Sequence, residues 1–125
     1  MQDVNSAQSL VAFWFACWET GDIDSLPIAE SFTHTSPFGK IDGKKAYLEL
    51  VQQNLDKFLS HRFEIIDGLY EPEKACIRYL AIQTDFELAV TEWHYCKNGQ
   101  IHDIVAYYHI GEIREDRQLK RDNER

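Results

Sequence analysis

The hydrophobic period of the chain changes once, close to residue 60. Before that point apolar residues recur at helical spacing, and after it come short runs rich in β-branched and aromatic residues. AYLELVQQNLDKFL sets Tyr47, Leu48, Val51, Leu55, Phe58 and Leu59 on one helical face. RFEIIDGLYE, KACIRYLAIQ, ELAVTEWHYC and QIHDIVAYYHIGE read as strands, broken by Glu71-Pro72-Glu73 and more loosely near Thr84-Asp85. Helices first and strands afterwards predict an α+β fold with a mostly antiparallel sheet. A chain of 125 residues supports one core, so residues 1–125 are expected to form a single domain. The folded part is expected over about 6–111, with the mixed-charge stretch 112–125 as a solvated tail.

The N-terminal third holds the other helices. LVAFWFACW, Leu10 to Trp18, is apolar all round, which fits a helix enclosed on most sides. Ser6 or Asn5 can cap it, and Gly21 suits its left-handed end. Asp22-Ile23-Asp24-Ser25 predicts a second, short helix through about Ser31, with Pro27 near its first turn. FTHTSPFGKIDG, Phe32 to Gly43, has no regular period and separates it from the third helix.

Several functions are disfavoured by totals. A net charge of −8 argues against nucleic acid and against an anionic membrane surface as partners. The longest apolar run has nine residues, where a spanning helix needs about 20. MQDVNSAQ lacks the basic start and apolar stretch of a signal peptide, so a cytoplasmic location is expected. Cys17, Cys76 and Cys96 are scattered and fit reduced core thiols. The five histidines form no HExxH or other helical pair, and neither a metal nor another cofactor is implied.

Asn98-Gly99 is a strong type I′ hairpin signal. With a loop of those two residues, Tyr95 faces His102, Trp93 faces Ile104, Thr91 faces Ala106 and Ala89 faces Tyr108. The opposite face then carries Leu88, Val90, Glu92, His94 and Cys96, with Ile101, Asp103, Val105, Tyr107 and His109 across from them. Neither face is plainly polar, and an antiparallel sheet usually keeps one side solvated. A second copy of the chain is the expected cover, giving a homodimer through the sheet.

The segments WFACWETGDID, FTHTSPFGKIDGKKAY and NGQIHDIVAYYH, in this order, resemble the nuclear transport factor 2-like fold. Within it they look like the SnoaL-like group of small cyclases, isomerases and hydrolases, over about Ser6 to Gly111. The resemblance implies a cone: three helices packed on a curved sheet, with a cavity between them and FTHTSPFGKIDG as the strand at its mouth. It places the face of Thr91, Trp93, Tyr95, His102, Ala106 and Tyr108 in that cavity, with Trp14 and Trp18 as further wall.

The carboxylates that similar enzymes use are missing from the matching positions. Trp14 stands where steroid isomerase-like proteins place a tyrosine, Ser36 where they place their aspartate base, and Trp93 where they place a neutral aspartic acid. Epoxide hydrolase-like members need an Arg-x-Asp pair, absent from KACIRYLAIQ, and a final-strand aspartate, where Ala106 falls. No carboxylate lies on the expected pocket face, so any base has to be a histidine.

His34 and Ser36 share a face of one strand and become the catalytic candidates. About 7 Å separates such residues, too far for a ready-made nucleophilic dyad. An imidazole with a pKa near 6.5 suits general base catalysis at neutral pH. Against this, Thr33, Thr35 and Ser36 also suit capping of backbone groups, and aromatic residues are more often plain core. His94 and Asp103 are read as a structural cross-strand pair. Two functions remain: a proton-transfer enzyme on a small, largely apolar molecule, or a non-catalytic binder or dimeric interaction module of the same fold.

Overall fold

The structure is a computed structural model that describes residues 6–109. The N-terminal residue Asn5 and the charged stretch 112–125 lie outside the described residues. Helix α1 spans Ala7–Thr20, capped by Ser6, whose Oγ accepts the N–H of Ser9. It ends at Gly21, held at φ 82° with its N–H donating to the Cys17 carbonyl. Its apolar residues are buried on several sides, as the unbroken run requires.

The short helix expected over Asp22–Ser31 is only a 3-10 turn, Ile23–Ser25. Strand β1, Ile28–Ser36, begins directly after Pro27. Burial explains the difference: Ile28, Ala29 and Phe32 join the core from the strand, which outweighs a weak local helix signal. A two-residue loop, Pro37-Phe38, turns β1 into β2, Gly39–Asp42, with Ser36 paired to Gly39. The strip FTHTSPFGKIDG is therefore a β-hairpin, closed by Gly43 N–H on the Phe32 carbonyl at 2.7 Å.

The third helix is broken. Helix α2 covers Lys44–Gln53 and the single turn α3 covers Leu55–Phe58. Between them Asn54 leaves helical geometry, with φ −136°, and its buried side-chain amide donates to the Leu50 carbonyl. An asparagine amide competes well with the backbone ladder, which a pattern of apolar residues does not register.

Strands β3 (Arg62–Glu71), β4 (Lys74–Gln83), β5 (Phe86–Lys97) and β6 (Gln100–Tyr107) complete a six-stranded curved sheet in the order β2-β1-β6-β5-β4-β3. All neighbours are antiparallel except β1 and β6. The fold is α+β, with the helices packed on one face of the sheet.

One register detail decides which residues face the helices. Lys97 pairs with Gln100 and Cys96 with Ile101, as a two-residue Asn98-Gly99 loop demands. Tyr95 then pairs with Asp103, so His102 is an extra residue, a β-bulge. Beyond it Trp93 pairs with Val105, Glu92 with Ala106 and Thr91 with Tyr107. Side chains alternate along a strand, so a slip of one residue exchanges the faces of β5 relative to β6. Ile104 and Ala106 face inward as expected, but their partners on that face are His94 and Glu92 rather than Trp93 and Thr91.

Candidate functional site

A cavity of about 160 Å³ lies between the helices and the inner face of the sheet. Trp14 and Trp18 of α1, Tyr47 of α2, Ala106 of β6 and Tyr108 just after that strand all line it. Trp14 and Trp18 meet edge to face at 5.5 Å, and Trp18 stacks on Phe58 at 5.5 Å. The volume is close to that of an apolar cavity known to hold benzene, about 150 Å³.

Thr91, Trp93 and Tyr95 are not in its wall. They lie on the outer face, where Trp93 and Tyr95 stack at 6.4 Å and Tyr95 is exposed. The bulge at His102 is the cause, because it breaks the regular ladder that the Asn98-Gly99 turn predicts. His102 itself is outside the cavity wall, and its Nε2 is buried without a partner among the described residues.

The same slip brings a carboxylate into the cavity. Glu92 is 5% exposed and lines it, which overturns the expectation that no carboxylate faces the pocket. Its Oε2 accepts the Tyr79 hydroxyl at 2.7 Å, and its Oε1 lies 2.9 Å from His94 Nε2. His94 is fully buried behind it, edge-on to Trp14 at 5.9 Å, with Nδ1 unpartnered among the described residues. His94 therefore pairs with Glu92 on its own strand and not with Asp103, whose carboxylate accepts the Thr33 hydroxyl at 2.6 Å. Burial pushes the Glu92 carboxyl upward. The hydrogen bond and charge of His94, the Tyr79 hydroxyl and the potential of His34 outweigh it, and its pKa falls below 4.5.

His34 is brought to the same chamber by β1. It pairs with Ile104, which pairs in turn with His94, so the two histidines stand in one row across the sheet. Its ring stacks on Tyr47 at 5.1 Å and makes no hydrogen bond among the described residues. Burial pulls its pKa below 6.5; His94 adds to that, while the Glu92 and Asp103 carboxylates oppose it. The imidazole lines the cavity. Burial also holds Tyr47 well above 10, with Glu92 and Tyr108 adding to the shift, so its phenol remains a donor.

Ser36 does one local task. Its Oγ accepts the Phe38 N–H at 3.1 Å across the hairpin turn. It also lines the cavity, as Tyr108 does. Lys57, which sequence reasoning passed over, is the only lysine or arginine in the wall among the described residues. Among those residues no three His, Cys, Asp or Glu side chains are grouped to hold a metal ion. No described helix is long and apolar enough to cross a membrane.

This arrangement, a helix-covered cone with a polar cluster at its inner wall, defines the nuclear transport factor 2-like class of fold, and solved structures agree. A putative ketosteroid isomerase from Kribbella flavida superimposes with a TM-score of 0.71 and 13% identity, covering 97% of this chain and 96% of that one. A putative polyketide cyclase from Xanthomonas campestris gives 0.69 and 20%, covering 85% and 92%. A SnoaL-like protein of unknown function from Burkholderia thailandensis gives 0.65 and 20%, covering 82% and 93%. A nuclear transport factor 2-like protein of unknown function from Cytophaga hutchinsonii gives 0.68 and 16%, covering 89% and 95%, and the chain has that fold. No protein-family model matches the chain, and no curated protein matches it in sequence.

Proposed function

We propose that this protein binds a small, largely apolar molecule of about one ring and moves a proton on it, with His34 as the base. The observation that carries this reading is the His34 imidazole, without a hydrogen bond among the described residues, lining an aromatic cavity that the Glu92 carboxylate also lines. His34 removes a proton from a carbon next to a carbonyl and becomes imidazolium. The Tyr47 hydroxyl donates to the oxygen on which negative charge develops. Glu92, held by Tyr79 and His94, supplies the fixed negative charge that stabilises the imidazolium. Trp14, Trp18, Ala106 and Tyr108 hold the apolar body of the ligand. The proton then returns to a different atom, completing an isomerase-type or cyclase-type step.

The test is deuterium incorporation. Cyclic and aryl ketones incubated in heavy water should exchange their α-protons in the presence of the protein, and His34→Ala should abolish the exchange. A second reading is a non-catalytic binder, favoured by one observation: each Glu92 oxygen already has a donor. Ligands that bind without any exchange would establish that reading instead.

We also propose that the protein works as a homodimer through the outer face of the sheet. Leu69, Cys76, Trp93 and Val105 form one apolar row across four strands, and Leu69 is 77% exposed in the single chain. Covering such a row removes apolar surface from water on both copies.

A further inference from the structure

The cavity wall carries one ammonium group that the proton-transfer chemistry does not use. The Lys57 side chain is only 10% exposed, although it belongs to a short surface turn. Its one ion pair among the described residues is with Asp56, its neighbour in sequence, at 3.6 Å, and the Asp56 side chain is 77% exposed to solvent. A long contact to a solvated carboxylate is a weak partner for an ammonium.

Helix α3 is pinned over one end of the sheet. The Gln83 side chain donates to the Leu59 carbonyl at 2.7 Å and to the Asp56 carbonyl at 3.5 Å. Gln83 pairs with Phe86 at the turn between β4 and β5, and Glu92 lies six residues further along β5. Lys57 is thus anchored toward the Phe86 end of the cavity wall, a wall that Glu92, His34 and Tyr47 also line.

We propose that Lys57 selects ligands that carry an anionic group, such as a carboxylate, on an otherwise apolar ring. This inference rests on the reading that the cavity holds a small molecule, and it names the class. The anion pairs with the ammonium at the Lys57 end. The ring lies against the stacked Trp18 and Phe58 pair on that side, and the reacting carbon points toward His34. A ligand anion also supplies the partner that Asp56, facing water, supplies poorly.

Calorimetric titration with phenylacetate and with its neutral isostere phenylacetamide tests this directly. The native protein should bind phenylacetate at least about tenfold more tightly, with the preference shrinking as salt rises. Lys57→Gln should bring the two within about twofold. Lys57→Arg should keep the preference. Equal binding of the two probes by the native protein overturns the selection by Lys57 and leaves the cavity reading standing. A preference that survives Lys57→Gln also overturns it. Binding of neither probe overturns this proposal and the small-molecule reading together.

Discussion

Glu92 and His94, two residues apart on β5, both point inward and meet at 2.9 Å in the least solvated part of the molecule. Neighbours two apart on a strand share a face but stand about 7 Å apart at their Cα atoms, so both side chains must lean together. Tyr79, from β4, completes the contact from the other side. The cluster fixes one ionised carboxylate at the wall of an apolar chamber, and everything proposed for His34 depends on that charge.

Removing the carboxylate should therefore be costly to stability. Glu92→Ala leaves the Tyr79 hydroxyl and His94 Nε2 buried without an acceptor, and a loss of about 3 kcal/mol is expected from two unsatisfied groups. Glu92→Gln keeps one acceptor and should lose less. Urea unfolding of the two variants against the native protein measures the difference.

Stability should also fall on the acid side, with two windows. The His34 pKa is lowered on folding, so its contribution is complete above about 6.5 and is lost as pH drops through the folded value. Glu92 is likewise lowered, and its contribution fades as pH falls below 4.5. His34→Gln should remove the first window and leave the second. Thermal midpoints recorded from pH 7 downward in both proteins give the comparison.

The fold was legible because its signals are local: the change of period, the Gly21 cap and the Asn98-Gly99 turn each depend on a few adjacent residues. The inner wall was only half legible. Trp14, Trp18, Ala106 and Tyr108 are implied by the resemblance, but a regular ladder from Asn98-Gly99 sets the partner strand one residue out of step. The bulge at His102 has no glycine and no charge pattern to announce it, and both faces of β5 are apolar enough to be core. Glu92 and His94 were visible as a polar pair sharing one face, and a carboxylate two residues before a histidine on an apolar strand was the one available hint. Asn54 breaks a helix through its own amide, which apolar periodicity does not record.

The outer face gives a third expectation. Leu69→Glu, Tyr107→Glu or both should convert a dimer into a monomer, since Leu69 and Tyr107 are 77% and 59% exposed and lie on strands whose inner sides stay untouched. Light scattering coupled to size exclusion at micromolar concentration reads the mass. A native protein that elutes as a monomer sets the dimer aside.

Filling the chamber should block binding without breaking the fold. Ala106 faces Glu92 across the β5–β6 pair and lines the cavity, so Ala106→Leu inserts three carbons into the open space. Ligand affinity should fall at least about tenfold, while unfolding free energy should change by less than about 1.5 kcal/mol, because the added volume meets a void instead of packed atoms. Titration and urea unfolding of the same sample separate the two effects.

The most direct measurement is the titration of the His34 ring by nuclear magnetic resonance, with and without a one-ring ligand. A midpoint below 6.5 that moves when the ligand is added is the expected result, since the ring faces the cavity and burial depresses its pKa. A His34 ring that titrates at or above 6.5 and does not respond to any ligand would contradict its role as the cavity's base.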